Sequence, residues 1–150
     1  MYAYLLYVLV KHYRRDAIIV CVLIAVMITL SDQLASTVMK NYFQRLRPCH
    51  EEAIAARVHL VNNHCGGMYG FVSSHASNSF ALLTFFALFL RRQHRRVKYV
   101  LLVWAVLVCY SRIYLGQHYP GDILGGAVLG TVLGVAFGLL KKKMLVVKER

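Results

Sequence analysis

The 150-residue chain is 59% hydrophobic and only 16% charged, with a mean hydropathy of +0.53. A water-soluble domain of this size must cover itself with polar side chains, so the composition excludes an ordinary soluble globule, and the same hydrophobicity excludes intrinsic disorder. The balance of 18 Lys and Arg against 6 Asp and Glu would suggest nucleic acid in a soluble protein, but charges set between apolar runs have a cause in membrane topology, and no nucleic-acid partner is expected.

Five apolar segments follow one another. Residues 1–10 are too few to cross roughly 30 Å of hydrocarbon, which needs about 20 helical residues. Segments 17–39, 71–90, 97–115 and 123–140 are long enough, and continuous apolar runs satisfy their backbone in lipid only as helices. The expected fold is therefore an all-α integral membrane helical bundle, a single domain over 1–150 with four full spans and a partial N-terminal apolar segment. A secretory signal peptide fits poorly, because residues 1–10 carry no basic region ahead of the apolar run and the 17–39 stretch is too long for one.

The loops set the orientation. Lys11, Arg14 and Arg15, then Arg91, Arg92, Arg95, Arg96 and Lys98, then Lys141, Lys142, Lys143, Lys148 and Arg150 fall on one side if every long segment crosses. Lys40, Arg45, Arg47, Arg57 and Arg112 fall on the other. The side with more cations is cytoplasmic by the positive-inside tendency, so the 41–70 loop and the turn at 112–121 face outward. The same basic residues are compatible with binding anionic headgroups. In the last segment Gly126, Gly130, Gly134 and Gly138 form a small-residue stripe, expected to pack against another helix of the chain, with a homodimer face as the other reading.

Lys40, Arg47, Ser73, Ser74, His75, Arg112, His118 and Asp122 all lie at span ends on the outward side. Three cations suit an anion with several oxygens, and serines at a helix start add donors where the dipole favours negative charge. Two histidines and a carboxylate supply a nucleophile, a proton donor and an orienting group. Asp32 and Lys40 share a helix face, with Ser36 between them, and an ion pair of Asp32 with Lys40 or with another span is expected. Arg45 and Arg57 read as interfacial anchors.

These residues also carry a family resemblance. Lys40, six residues and Arg47-Pro48 form one motif; Phe71-Val72-Ser73-Ser74-His75 stands where a Pro-Ser-Gly-His motif would be; Ser111-Arg112, five residues, His118, three residues and Asp122 form the third. Three motifs in this order at successive span ends resemble the type 2 phosphatidic acid phosphatase (PAP2) superfamily of membrane lipid phosphatases, over roughly residues 17–140. The resemblance implies His118 as a nucleophile forming a phosphohistidine, Asp122 as its orienting partner, and His75 as acid and then base. It assigns Lys40, Arg47, Ser73, Ser74 and Arg112 to phosphate binding, with no metal and no cofactor. Val72 in place of Pro and Ser74 in place of Gly bear on the shape of the phosphate pocket.

The implied substrate is a lipid phosphate or diphosphate at the outer, periplasmic face of a bacterial-type inner membrane, undecaprenyl diphosphate first, with phosphatidate, phosphatidylglycerophosphate and lipid A phosphates behind it. A non-enzymatic protein binding the same headgroups is the alternative, and the paired histidines argue against it. Members of the family usually have six spans, so 1–10 looks like the tail of a span begun upstream, the chain being either a piece of a longer protein or an unusually minimal member. Cys49 and Cys65 share the outward loop, where a disulfide is expected, a zinc site with His50, His59 and His64 being the other reading. Cys21 and Cys109 read as small buried hydrophobes.

Overall fold

The computed structural model describes residues 16–61, 64–90 and 95–148. The expected partial segment at 1–10 and the cations Lys11, Arg14, Arg15, Arg91, Arg92 and Arg150 lie outside these.

The described residues are helical and contain no regular strand. Helix α1 (Ala17–Gln33) continues through a π-helical stretch, Leu34–Met39, into the single turn α2 (Lys40–Phe43). Gln44, in the left-handed region at φ 47°, ends that helix. The segment to α3 carries two short 3-10 turns, Pro48–His50 and Ala55–Arg57. Three helices follow: α3 (Ser74–Phe89), α4 (Arg95–Tyr114) and α5 (Pro120–Lys148).

Among the described residues, three helices are long and apolar enough to cross a membrane: Ala17–Phe43, Arg95–Tyr114 and Pro120–Met144. Segment 71–90 was expected to supply a fourth full span, and its helix is shorter. Ser73 caps the start, its Oγ accepting from the Ala76 N–H, and Leu90 leaves the helix in an extended conformation. The resulting 16 residues measure about 24 Å at 1.5 Å per residue, less than the hydrocarbon thickness. Where α3 sits explains how this is tolerated. It packs against α1, α4 and above all α5, so its neighbours cover most of it.

The core is built around that central helix. Ala81, Leu82, Phe85 and Phe86 of α3 pack with Val20 and Met27 of α1, Val97 and Leu101 of α4, and Leu133 of α5. The outward faces stay apolar: Ile18 and Val22 on α1, Val103 and Leu107 on α4, and Leu124 and Val128 on α5 are all more than half exposed. Such faces are the ones a bilayer covers.

The glycine stripe lies inside the bundle. A Cβ at Gly126 would come within 2.5 Å of the Ser73 carbonyl oxygen and one at Gly134 within 2.7 Å of the Ala81 carbonyl oxygen, while one at Gly130 would overlap the Ser77 carbonyl. The stripe lets the α3 and α5 backbones approach closely, the intramolecular use of small residues at a four-residue spacing. A buried bond between the Ser31 and Ser77 hydroxyls, 2.7 Å, joins α1 to α3.

Helix directions then place the chemistry. The helical run from α1 and the helix α4 end where α3 and α5 begin, so 40–47, 73–75, 112 and 118–122 gather at one end of the bundle. Arg95, Lys98 and Lys141–Lys143 sit at the other.

Candidate active site

Two helix N-termini form the centre of this end. Ser73 precedes α3, and its backbone N–H donates to the Asp122 carbonyl at 3.0 Å, tying the start of α3 to the first turn of α5. Helix α5 opens with Pro120 at its first position, where no N–H is needed. Asp122, two residues on, folds its side chain back so that Oδ2 accepts the Tyr119 N–H at 2.9 Å, the return arm of a capping box.

The turn before α5 aims His118. Gly116 has φ +64°, and a Cβ there would strike Val58, so the left-handed corner and the packed loop both require glycine. The chain folds back on α4 through Gly116 N–H to Ile113 C=O, 2.9 Å, and Gln117 N–H to Arg112 C=O, 3.1 Å. His118 is thereby buried, at 4% exposure, beside Asp122 at 0%. Its Nδ1 lies 3.5 Å from Asp122 Oδ2 and has no formed hydrogen bond among the described residues. With Nδ1 on the Asp122 side, Nε2 is the nitrogen left for the cavity. Burial lowers the His118 pKa below the ordinary histidine value, as do Arg47 and Lys40, while Asp122 acts in the opposite direction; the net direction is down.

The cavity in front of His118 has a volume of about 420 Å³, and Lys40, Arg47, Ser74, His75 and Arg112 line it, with Asp32, His64, Gly66 and Gln117 completing the wall. Lys40 Nζ donates to Ser74 Oγ at 3.4 Å, so the serine standing in the glycine position of the motif brings a hydroxyl to the lysine. Arg47 is buried, and its Nε donates to the Tyr69 carbonyl at 3.2 Å, leaving the rest of the fork toward the cavity. Burial pulls the Arg47 guanidinium below its ordinary value, with Asp122 opposing and Arg112 adding to the effect; it remains a cation. Arg112 is held by Ser111 Oγ at 3.3 Å and Gln117 Oε1 at 3.4 Å. His75, on the first turn of α3, is exposed at the mouth. Ser73 and Val72 are buried behind the wall.

The structure therefore brings all eight sequence-predicted side chains to one place, six on the cavity wall and Ser73 and Asp122 directly behind it. Two expectations about neighbouring residues change. Asp32 makes no ion pair with Lys40 among the described residues; the π-helical stretch Leu34–Met39 lies between them and turns the downstream residues out of α-helical register. Arg45, read as an anchor, forms an ion pair with Asp122, Nη1 to Oδ1 at 3.0 Å, and its guanidinium lies over the Tyr119 ring at 4.4 Å. The signal for it was its position two residues before Arg47, since alternate residues of an extended segment share a face. Leu46 between them pairs with Tyr69 in an isolated antiparallel bridge.

Cys49 and Cys65 are joined by a disulfide, Cα atoms 5.9 Å apart. His50 Nε2 lies 3.4 Å from the Gly66 carbonyl. Cys49, His50 and Cys65 bring their donor atoms within 4.8 Å of one another, but sulfurs bonded to each other are not thiolate ligands.

An α-helical protein with membrane-length apolar helices and a cation-lined cavity over a buried His–Asp pair falls in the class of membrane proteins with an anion-attracting site. The chain belongs to the PAP2 superfamily, whose family model matches residues 17–143. It is 39% identical over 146 residues to the lipid A 4'-phosphatase of Bacteroides thetaiotaomicron, covering 96% of this chain and 64% of that protein. It is 35% identical over 134 residues to the lipid A 4'-phosphatase of Porphyromonas gingivalis (88% of this chain, 55% of that protein) and 34% identical over 110 residues to phosphatidylglycerophosphatase B of Bacillus subtilis (69% and 49%). The chain thus spans roughly half to two thirds of the length of these relatives. No solved structure matches it.

Proposed function

We propose that the protein is a membrane lipid phosphatase that removes a phosphate from a sugar-linked lipid phosphate of the lipid A type. The observation that carries this reading is the buried His118–Asp122 pair set behind Lys40, Arg47 and Arg112 at one cavity. The sequence alone favoured undecaprenyl diphosphate; the two relatives named lipid A 4'-phosphatase move a lipid A phosphate ahead of it, with phosphatidate and phosphatidylglycerophosphate also behind.

The chemistry follows from the placements. The cations and the α3 N-terminus hold the non-bridging oxygens and stabilise charge in the transition state. His118 Nε2 attacks phosphorus, forming a P–N bond as the P–O bond to the lipid breaks, and His75 protonates the departing oxygen. His75 then takes a proton from water, the water oxygen attacks phosphorus, the P–N bond breaks and inorganic phosphate leaves. Asp122 keeps the Nδ1 proton of His118 and supports the positive charge that develops on the ring. The scheme needs no metal ion. With α3 counted as a fourth, enclosed crossing, the basic ends of α4 and α5 lie on the cytoplasmic side and the cavity opens on the periplasmic side.

The test is phosphate release by the full chain in detergent from lipid A phosphate, phosphatidate and undecaprenyl diphosphate. Wild type is expected to release phosphate, resist chelator and be inhibited by vanadate, and His118→Ala and His75→Ala to lose at least about 100-fold. Equal release by wild type and both variants would overturn the enzymatic reading. Loss of activity with chelator and its return with a divalent metal would overturn the metal-free scheme.

A further inference from the structure

The phosphate-binding role accounts for the cations, Ser74 and the histidines of the cavity, but not for Asp32. This carboxylate is carried by α1, inside an apolar helix long enough to span a membrane, yet it is part of the cavity wall together with Lys40, Arg47 and Arg112. It is only partly exposed. Its backbone carbonyl accepts the Ser36 hydroxyl at 2.6 Å, while its side chain makes no hydrogen bond or contact ion pair among the described residues and its charge acts on Lys40 only from beyond contact distance. An intramembrane carboxylate is costly and normally has a partner.

A carboxylate on the wall of an anion-binding cavity repels the phosphate that the cavity attracts, and it accepts hydrogen bonds without donating any. Its presence favours only a ligand that brings a donor along with the phosphate. Phosphatidate and polyprenyl phosphates have no hydroxyl or amine on the carbons next to their phosphate ester. A sugar phosphate does, because the ring carries hydroxyl or amide groups within one or two carbons of the phosphorylated position. Gln117 is on the same wall with its Oε1 already accepting from Arg112, so its amide NH2 remains to meet a sugar oxygen.

We propose that Asp32 is a specificity-determining residue that accepts a hydrogen bond from a hydroxyl or amide N–H of a sugar headgroup while the cations hold its phosphate. The proposal rests on the phosphatase reading above and deepens it, by naming what distinguishes the favoured lipid from phosphatidate and polyprenyl phosphates.

The experiment compares wild type with Asp32→Asn, as full-length protein in detergent, on a lipid A phosphate and on phosphatidate, with vanadate inhibition measured for both proteins. Asp32→Asn keeps the shape and removes the charge. Its kcat/KM on the sugar-linked lipid is expected to fall about 10- to 100-fold, chiefly through KM. Turnover of phosphatidate is expected to be unchanged or raised, and vanadate to inhibit at least as strongly, which also shows that the variant is folded. An equal loss on both lipids, weaker vanadate inhibition or no loss on the sugar-linked lipid would each overturn the role of Asp32. Failure of wild type to release phosphate from either lipid overturns the phosphatase reading itself, a result separate from all of these.

Discussion

Arg45 Nη1 lies 3.0 Å from Asp122 Oδ1, so the buried carboxylate next to His118 has a cation on its far oxygen and the Tyr119 N–H on its near one, at 2.9 Å. Arg45 is itself 45% exposed, and it is placed by the Leu46–Tyr69 bridge and by the Tyr119 ring beneath it. It acts on His118 only through Asp122, which makes it a positioning residue. Removing its charge leaves Asp122 freer to attract a proton onto His118. Arg45→Ala is therefore expected to lower kcat about 10-fold with little change in KM and to move the acid limb of the kcat/KM profile to higher pH, with Arg45→Lys intermediate. A loss confined to KM, or an unmoved acid limb, would show that Arg45 is only a surface contact.

Wild-type pH dependence follows from the direction of the His118 shift. As the proposed nucleophile His118 must be neutral, and burial, which disfavours the imidazolium, lowers its pKa below the ordinary value of 6.5. The neutral form thus persists below that pH, and the acid limb of kcat/KM assigned to His118 is expected on the acid side of 6.5. The linked stability has the same sign: a histidine that resists protonation when folded favours the folded state above its unfolded pKa, and that contribution is lost as pH falls below it. A kcat/KM profile over pH 4–9 checks this, and an acid limb above 6.5 that disappears in His118→Ala would contradict it.

What was legible in the sequence was the set of polar residues that gather at the cavity, and the reason is energetic. Ionisable and hydroxyl side chains are costly next to hydrocarbon, so Lys40, Arg47, Ser73, Ser74, His75, Arg112, His118 and Asp122 stand out from apolar surroundings, and alternating helix directions send all of them to one end. The helix count was less legible. Hydropathy marks 71–90 as one apolar run, whereas the helix length is set by the Ser73 cap and the extended Leu90, which hydropathy does not register. The side-chain partners were least legible. A lone arginine in an interfacial loop looks like an anchor until the bridge at Leu46 aligns Arg45 with Asp122, and the face shared by Asp32 and Lys40 assumed a continuous α-helix that the Leu34–Met39 π-helical stretch interrupts.

Gly70 is a second residue on which the His–Asp pair depends. A Cβ there would sit 3.0 Å from Asp122 Oδ2, 3.3 Å from Arg47 Cγ and 3.6 Å from His118 Nδ1. The carboxylate has to give by a few tenths of an ångström, and it is already committed to Arg45 and Tyr119. Gly70→Ala is expected to fold, and to reduce kcat about 10-fold by pushing Asp122 away from His118; Gly67→Ala, with nothing within 4 Å of its Cβ, is expected to be silent. Equal kcat in the two variants would rule out the close fit.

The α3–α5 contact carries the site, so opening it should be felt both in stability and in catalysis. At Gly130 an added Cβ would overlap the Ser77 carbonyl, and neither backbone can yield without separating the two helices. Gly130→Leu is expected to cost about 1–3 kcal/mol through overpacking and to lower the temperature at which the detergent-solubilised protein loses its fold. Because Ser73 N–H and Asp122 C=O join the same helices at the site end, kcat is expected to fall with it. Gly138→Ala tests the position dependence, since its Cβ would meet only the flexible Leu88 side chain, 3.2 Å away, and should be tolerated. Equal effects at the two positions would show that the stripe does not act through backbone approach.

The Cys49–Cys65 disulfide closes the loop that brings His64 and Gly66 to the cavity wall and Arg47 to its place beside them; a Cβ on Gly66 would lie 3.3 Å from Arg47 Nη1. Closing a loop of about 15 residues is worth on the order of 3 kcal/mol in the chain-entropy account. Reduction, or the Cys49→Ser and Cys65→Ser pair, is expected to loosen this wall while leaving His118, Asp122 and Arg112 on their helices. The consequence is a several-fold rise in KM with kcat largely kept. A thiol reagent should label Cys49 and Cys65 only after reductant is added. Labelling of both without reductant would remove the disulfide from the account, and a loss of kcat on reduction would mean that the loop also holds the His118–Asp122 pair in register.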